Sequence, residues 1–281
     1  MERSIDEVSI FYDGLDHPEC VAVHPDGSVW AGGEAGQVYR ISADGSQCTE
    51  VANTGGFILG IAFSPDLSWM ALCDLKKKCV WRLDLNSREL GVFASGIAGD
   101  AFMNPNYPVF DRQGNLYVSD SGQFRKINGR IFKFRPDGAG EIWHAGPFNF
   151  ANGMALSADQ QTLYVVCTFM HGVQKISIDE SGSAGEASTI FTLKETCPDG
   201  IALDTDGNLY VSCYAPNTIL KVDSHGNVST VMHDWESHTV CNPTNIAFGG
   251  KDNRELFIAN LGRWHISKIT MNCSGLVLTG N

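Results

Sequence analysis

Glu19, Asn106, Asn152 and Asp199 combine matching positions in a repeated pattern with side chains suited to one task. Each opens a segment in which an apolar stretch, a polar turn and a second apolar stretch follow one another. Leu59 and Thr244 open the two other copies. Two carboxylates and two neutral amides converging on one point would offer only oxygen donors and a charge of −2. That is the chemistry of a hard-cation site, and it suits a single divalent ion. Asn152-Gly153 and Asp199-Gly200 are also turn dipeptides, so the same residues could simply reverse the chain.

The repeat supplies the elements that would position these side chains. Its copies are ECVAVHPDGSVWAG, LGIAFSPDLSWMAL, NYPVFDRQGNLYVS, NGMALSADQQTLYVV, DGIALDTDGNLYVS and TNIAFGGKDNRELFIA. They begin at residues 19, 59, 106, 152, 199 and 244, which are 40 to 47 residues apart. Asp-Gly and Gln-Gly pairs between apolar runs are hairpin turns. Each unit continues with a third strand (QVYRIS, CVWRLD, RIFKFR, GVQKIS, TILKVD, HISKIT) and a fourth (CTEVA, LGVFAS, EIWHAG, STIFTL, VSTVM, LVLT). Four strands per unit and six units predict an all-β fold, a six-bladed β-propeller with four-stranded blades. It would occupy residues 1–281 as one domain, with VSIFY (residues 8–12) pairing into the last blade and closing the ring. A β-sandwich or barrel would have to reproduce this spacing by coincidence.

In a propeller the first strand of every blade lines the central channel, so the six opening residues share one mouth. The 2–3 and 4–1 loops reach the same face. They carry Phe57, Phe102, Phe148, Phe150, Phe169 and Tyr214, which either plug the loops against one another or form an apolar vestibule over a polar floor. His171 and Lys76–Lys78 fall on this face too, the lysines as solvated decoration and His171 as a loop residue that could orient a substrate.

Composition removes other classes. A formal net charge of −12 gives no electrostatic reason to bind nucleic acid. No run reaches the ~18 apolar residues of a membrane span. Residues 1–15 include Glu2, Asp6, Glu7 and Asp13 and do not read as a signal peptide. Nine cysteines with no C-x-x-C pair read as reduced thiols, and together these features predict a cytoplasmic protein.

HPECVAVHPDG, FANGMALS, CPDGIALDTDGNLYVS, PTNIAFGG and ANLGRWHISKI resemble the gluconolactonase/regucalcin (senescence marker protein) family of six-bladed propeller hydrolases, relatives of diisopropylfluorophosphatase and, more distantly, of paraoxonase and strictosidine synthase. The resemblance touches every blade. It implies a divalent metal at the channel mouth, Ca²⁺ first with Zn²⁺, Mg²⁺ or Mn²⁺ as alternatives, held by Glu19, Asn106, Asn152 and Asp199. Sugar-lactone members often place Arg two residues before the third-blade Asn and Asp just after it. Here those positions are Asn104 and Tyr107. The implied substrate is therefore a small lactone or ester less polar than a sugar lactone, bound among Asn104, Tyr107, Phe57, Phe102, Phe148, Phe150, Phe169 and His171.

The implied reaction is hydrolysis, with the metal polarising the carbonyl and Asp199 activating water. Resemblance to diisopropylfluorophosphatase implies a second possible role for Asp199, direct nucleophilic attack. A non-hydrolytic enzyme on the strictosidine synthase pattern and a non-enzymatic binding or scaffold propeller are the competing classes.

Overall fold

A computed structural model of the chain describes residues 2–277. Six four-stranded antiparallel sheets form a six-bladed β-propeller. The innermost strands are Cys20–Val23, Ile58–Phe63, Pro105–Phe110, Ala151–Leu156, Cys197–Leu203 and Pro243–Gly249, each touching its two neighbours around the channel. Blade one continues outward through Val29–Gly32, Gln37–Ile41 and Cys48–Asn53, and the next four blades repeat this order. In blade six, Glu255–Asn260 and His265–Thr270 follow the inner strand, and Ser9–Asp13 completes the sheet.

The strand expected at LVLT is thus a correction. VSIFY occupies the outer place in blade six, and the described residues 276 and 277 do not pair there. The described part of that stretch runs beneath blade five, where Gly275 bridges Asp204 and the Leu276 amide donates to the Leu203 carbonyl at 2.8 Å. Residues 278 and 279 lie outside the described residues.

Burial follows position in the blade. The second strand Trp69–Asp74 is buried at every residue because both its faces are covered, whereas the outer strand Leu90–Ala94 has no fully buried residue. One hydrophobic cluster fills each of the six interfaces between neighbouring blades. The first hairpin of several blades uses left-handed backbone, at Gly114 (φ 84°) and Gly207 (φ 79°) for example, where a side chain would be strained. The nine cysteines are all unpaired. Among the described residues no helix is long and apolar enough to cross a membrane.

The connection from blade five to blade six hangs on one buried side chain. Asp234 accepts from the amides of Glu236, Ser237, His238, Thr239 and Val240 at 2.8–3.1 Å. Burial raises its pKa, but the backbone donors outweigh burial and the net shift is downward. Its stabilisation is therefore complete above the unfolded-state value near ~3.9 and drains away as pH falls through the lower folded-state value. Asp234→Ala should lower unfolding stability by about 2–3 kcal/mol at neutral pH, measured by urea denaturation. The gap between variant and wild type should narrow as pH falls below the ordinary carboxylate value.

Candidate metal centre at the channel mouth

The tops of the inner strands are not regular ladder. In blades two to six the pairing slips by one or two residues near the mouth, and Leu59, Asn106, Asn152, Asp199 and Thr244 are each left out of register. A β-bulge turns an otherwise alternating side chain toward a new direction, here toward the axis. In blade one the strand starts a residue later, and the Glu19 amide still donates to the Gly32 carbonyl at 3.1 Å. Asn152-Gly153 and Asp199-Gly200 lie inside strands, and neither glycine has positive φ. The turn alternative for these dipeptides is thereby removed. The glycines serve close approach instead: a Cβ on Gly153 would lie 2.6 Å from the Asp199 carbonyl oxygen, and one on Gly200 would lie 2.7 Å from Asn245 Cα.

Hydroxyls take up the polar groups that the bulges free. Ser119 Oγ accepts from the Tyr107 amide at 3.0 Å, and Ser212 Oγ accepts from the Gly200 amide at 3.0 Å. Ser212 is fully buried, so Ser212→Ala should strand the Gly200 amide at a cost of about 1–3 kcal/mol. A thermal melt checks the stability loss. A parallel fall in any activity carried by Asp199 would follow from the loosened bulge.

A second set of hydroxyls orients the amides. Asn106 Nδ2 donates to Ser121 Oγ at 2.9 Å, and Asn152 Nδ2 donates to Thr168 Oγ1 at 3.2 Å. Ser121 in turn donates to the Ala151 carbonyl and Thr168 to the Pro198 carbonyl, each just before the next blade's donor residue. With the NH₂ groups tied down, no donor among the described residues reaches the side-chain oxygens of Asn106 or Asn152.

The carboxylates have too few partners for their burial. Glu19 Oε2 is inaccessible and has no hydrogen-bond partner, while the rest of the side chain keeps some exposure through the open mouth. Burial, followed by the charge of Asp199, pushes the Glu19 carboxyl well above its ordinary range, with a smaller opposing effect from Thr244. Burial pushes Asp199 up to about 8 against a downward pull from Asn152. Two adjacent buried acids and two outward-braced amides leave a concentration of oxygen acceptors with no cation supplied by the chain. Glu19, Asn106, Asn152 and Asp199 fit a hard divalent ion.

One tier below, the equivalent positions are Cys20, Gly60, Tyr107, Gly153, Gly200 and Asn245. Three glycines make room: Gly60 lies against the Tyr107 ring, and Gly200 against Asn245, itself buried and accepting from the Val21 amide. Burial raises the Tyr107 phenol to about 12, with the Asn245 hydrogen bond pulling the other way. Beneath the ring lies an apolar cavity of about 210 Å³ lined by residues such as Ile61, Met154 and Ile246. Tyr107, expected among the substrate-binding residues, thus lies at the floor of the upper site.

The aromatic vestibule needs two corrections. Phe102 packs on Phe132 and Phe134 in the interface of blades two and three, because the Met103 and Asn104 amides are pulled onto the Asp120 carboxylate. Phe148 is buried in the interface of blades three and four. Neither lines the mouth. Asn104 braces its loop through Gly122, and the His171 ring nitrogen Nδ1 lies 2.5 Å from the Thr196 carbonyl, so both side chains are engaged locally. Phe57 stays half-buried beside Asp74, which accepts from its amide. Phe150 and Phe169 do meet, with ring centroids 4.9 Å apart, and Phe124 joins them at 5.4 Å from Phe169. Phe124 and its neighbour Arg125 escaped the sequence reading because they lie between repeat units' strands, where no period marks them.

Comparison with known proteins agrees with this architecture. Residues 76–261 match the family model described as SMP-30/Gluconolactonase/LRE-like region, and residues 10–41 match that of the strictosidine synthase-like N-terminal region. Regucalcin of Gallus gallus is 26% identical over 137 residues, 47% of this chain and 44% of the relative. Lactonase drp35 of Staphylococcus saprophyticus is 30% identical over 125 residues, 43% of this chain and 39% of the relative. The matches thus span less than half the length of these curated relatives. A gluconolactonase from Xanthomonas campestris superposes with a TM-score of 0.80 at 20% identity, covering 94% of this chain and 89% of that one. A calcium-binding protein, regucalcin, from Agrobacterium tumefaciens gives 0.80 at 16% identity, covering 96% and 95%. These two likenesses speak to the fold. With the family model matched over most of its length, the chain belongs to the SMP-30/gluconolactonase/LRE-like family.

Proposed function

We propose that this protein is a divalent-metal-dependent hydrolase of lactones or related carboxylic esters. The observation that carries the reading is the meeting of Glu19 and Asp199, two buried acids without a counter-charge, beside the braced amides of Asn106 and Asn152. Family membership and the lactonase and gluconolactonase names of its relatives give the reaction class. Ca²⁺ is the proposed ion, since all four donors are oxygens and a relative is called a calcium-binding protein.

When bound, the cation supplies a Lewis acid for the carbonyl oxygen of the substrate. The chain's own residues do the rest. Asp199 takes a proton from the attacking water, its carboxylate lying beside that of Glu19 at the mouth. Asn106 and Asn152 hold their oxygens in place through Ser121 and Thr168, and the Thr244 hydroxyl secures the Glu19 backbone by donating to its carbonyl at 2.7 Å. Tyr107 stands one tier below as part of the floor, facing substrate that enters from the mouth. Phe150 and Phe169 offer an apolar wall for a substrate less polar than a sugar lactone.

A panel of aliphatic γ- and δ-lactones, aryl esters and gluconolactone, assayed with added Ca²⁺, tests the reading. Turnover of apolar lactones or esters above that of gluconolactone is expected. No turnover of any member would contradict it. Single turnover in ¹⁸O-water separates the two roles of Asp199: label recovered in the Asp199 carboxylate marks direct attack, and its absence leaves Asp199 as the base.

A further inference from the structure

Arg125 stands on the rim of the mouth without a partner. Arg3, Arg40, Arg130 and Arg135 each pair with a carboxylate; among the described residues Arg125, like Arg82, Arg88, Arg112, Arg254 and Arg263, has none within 4.0 Å. Instead its Cζ lies 5.6 Å from the ring centre of Phe124 and 6.0 Å from that of Phe169. Phe169 directly follows Thr168, the residue that braces Asn152 and the Pro198 carbonyl, so the aromatic strip runs from the oxygen donors out to this cation.

The loop is shaped to hold it there. Gly122 reverses the chain at φ 74°, Asn128 Oδ1 accepts from the Gln123 amide at 2.9 Å, and the Lys126 amide donates to the Gln123 carbonyl at 2.9 Å. Within that turn Arg125 itself is left-handed at φ 57°, a conformation that costs a non-glycine residue about 1 kcal/mol or more. The exposed Arg88 is left-handed too, at φ 62°, so what sets Arg125 apart is its seat over two aromatic rings at the mouth.

The surroundings say what such a cation would do. The chain carries a net charge of −12, so its overall field disfavours an anionic substrate unless the rim offers a counter-charge; a divalent ion would cancel only the two acids of the floor. A guanidinium with a free fork is suited to a carboxylate or another oxyanion. We propose that Arg125 is a specificity-determining residue that binds an anionic group at the far end of an apolar substrate arm laid along Phe150, Phe169 and Phe124. Resting on the hydrolase reading, this narrows the substrate class to lactones or esters bearing such an anion.

The test compares a γ-lactone whose four-carbon arm ends in a carboxylate with the same lactone ending in a primary amide, using full-length protein with Ca²⁺. Wild type should favour the carboxylate by about tenfold in kcat/KM, the scale of one charge-assisted hydrogen-bonded contact. In Arg125→Glu that ratio should fall at least about tenfold, through KM, and Arg125→Lys should fall between. Lys126→Glu makes the same change of charge one residue on and should keep the wild-type ratio. An unchanged ratio in Arg125→Glu, or an equal fall in Lys126→Glu, would overturn the assignment. If wild type turns over neither lactone, the hydrolase reading fails separately, and calorimetric binding of 4-phenylbutyrate decides for Arg125. Binding lost in Arg125→Glu supports the subsite; equal binding, or none to wild type, overturns it.

Discussion

Asp199→Asn should reduce kcat/KM for the preferred lactone by about 10³-fold, the scale of losing a general base. The amide is isosteric, so it keeps an oxygen facing the mouth but cannot accept the proton of water. The cost should therefore fall on kcat more than on KM. The fold should survive, because Asp199 sits in a bulge whose backbone is secured by Ser212 and by the close contact with Gly153. Circular dichroism and a melting curve check that point. Undiminished turnover by a folded variant would remove Asp199 from the chemistry.

Glu19→Gln should have two opposite effects. Without divalent cation the variant should be more stable than wild type, because an acid with an unpartnered buried oxygen has been neutralised. With cation the order should reverse, since one of the two ligand charges is gone and affinity should fall about 100-fold. The pH dependence carries the same signature. The folded-state value of Asp199, about 8, lies above the unfolded value near ~3.9. Its protonation thus stabilises the cation-free protein fully below that lower value, and this stabilisation is lost as pH rises through about 8. Cation-free wild type should melt at higher temperature at pH 6 than at pH 9, and added cation should cancel the difference. Melting temperatures at the two pH values, with and without Ca²⁺, read both effects. An identical response in Glu19→Gln and wild type would contradict a role for Glu19 as ligand.

Much of this was legible in the chain itself. A spacing of 40 to 47 residues with the same strand order in every unit leaves few folds besides a six-bladed propeller, and the register that aligns the units also aligns Glu19, Asn106, Asn152 and Asp199. The bulges were not legible, because a bulge is a mismatch between two strands and neither strand carries it alone. Asn152-Gly153 looked like a turn for that reason. The vestibule was half legible: sequence puts Phe102 and Phe148 in mouth-side loops, but only the pull of Asp120 and the packing between blades send their rings inward. Phe124 and Arg125 lie in a loop without periodicity. The outer strand of blade six depended on a choice between two chain ends that local pattern does not make.

The most direct measurement is lactone turnover by one preparation before chelation, after chelator removal, and during titration with Ca²⁺. A cation-centred site predicts that turnover vanishes with the chelator and returns as Ca²⁺ saturates one site per chain, with no return in Asp199→Asn. Full turnover by the chelated, metal-free protein would contradict it.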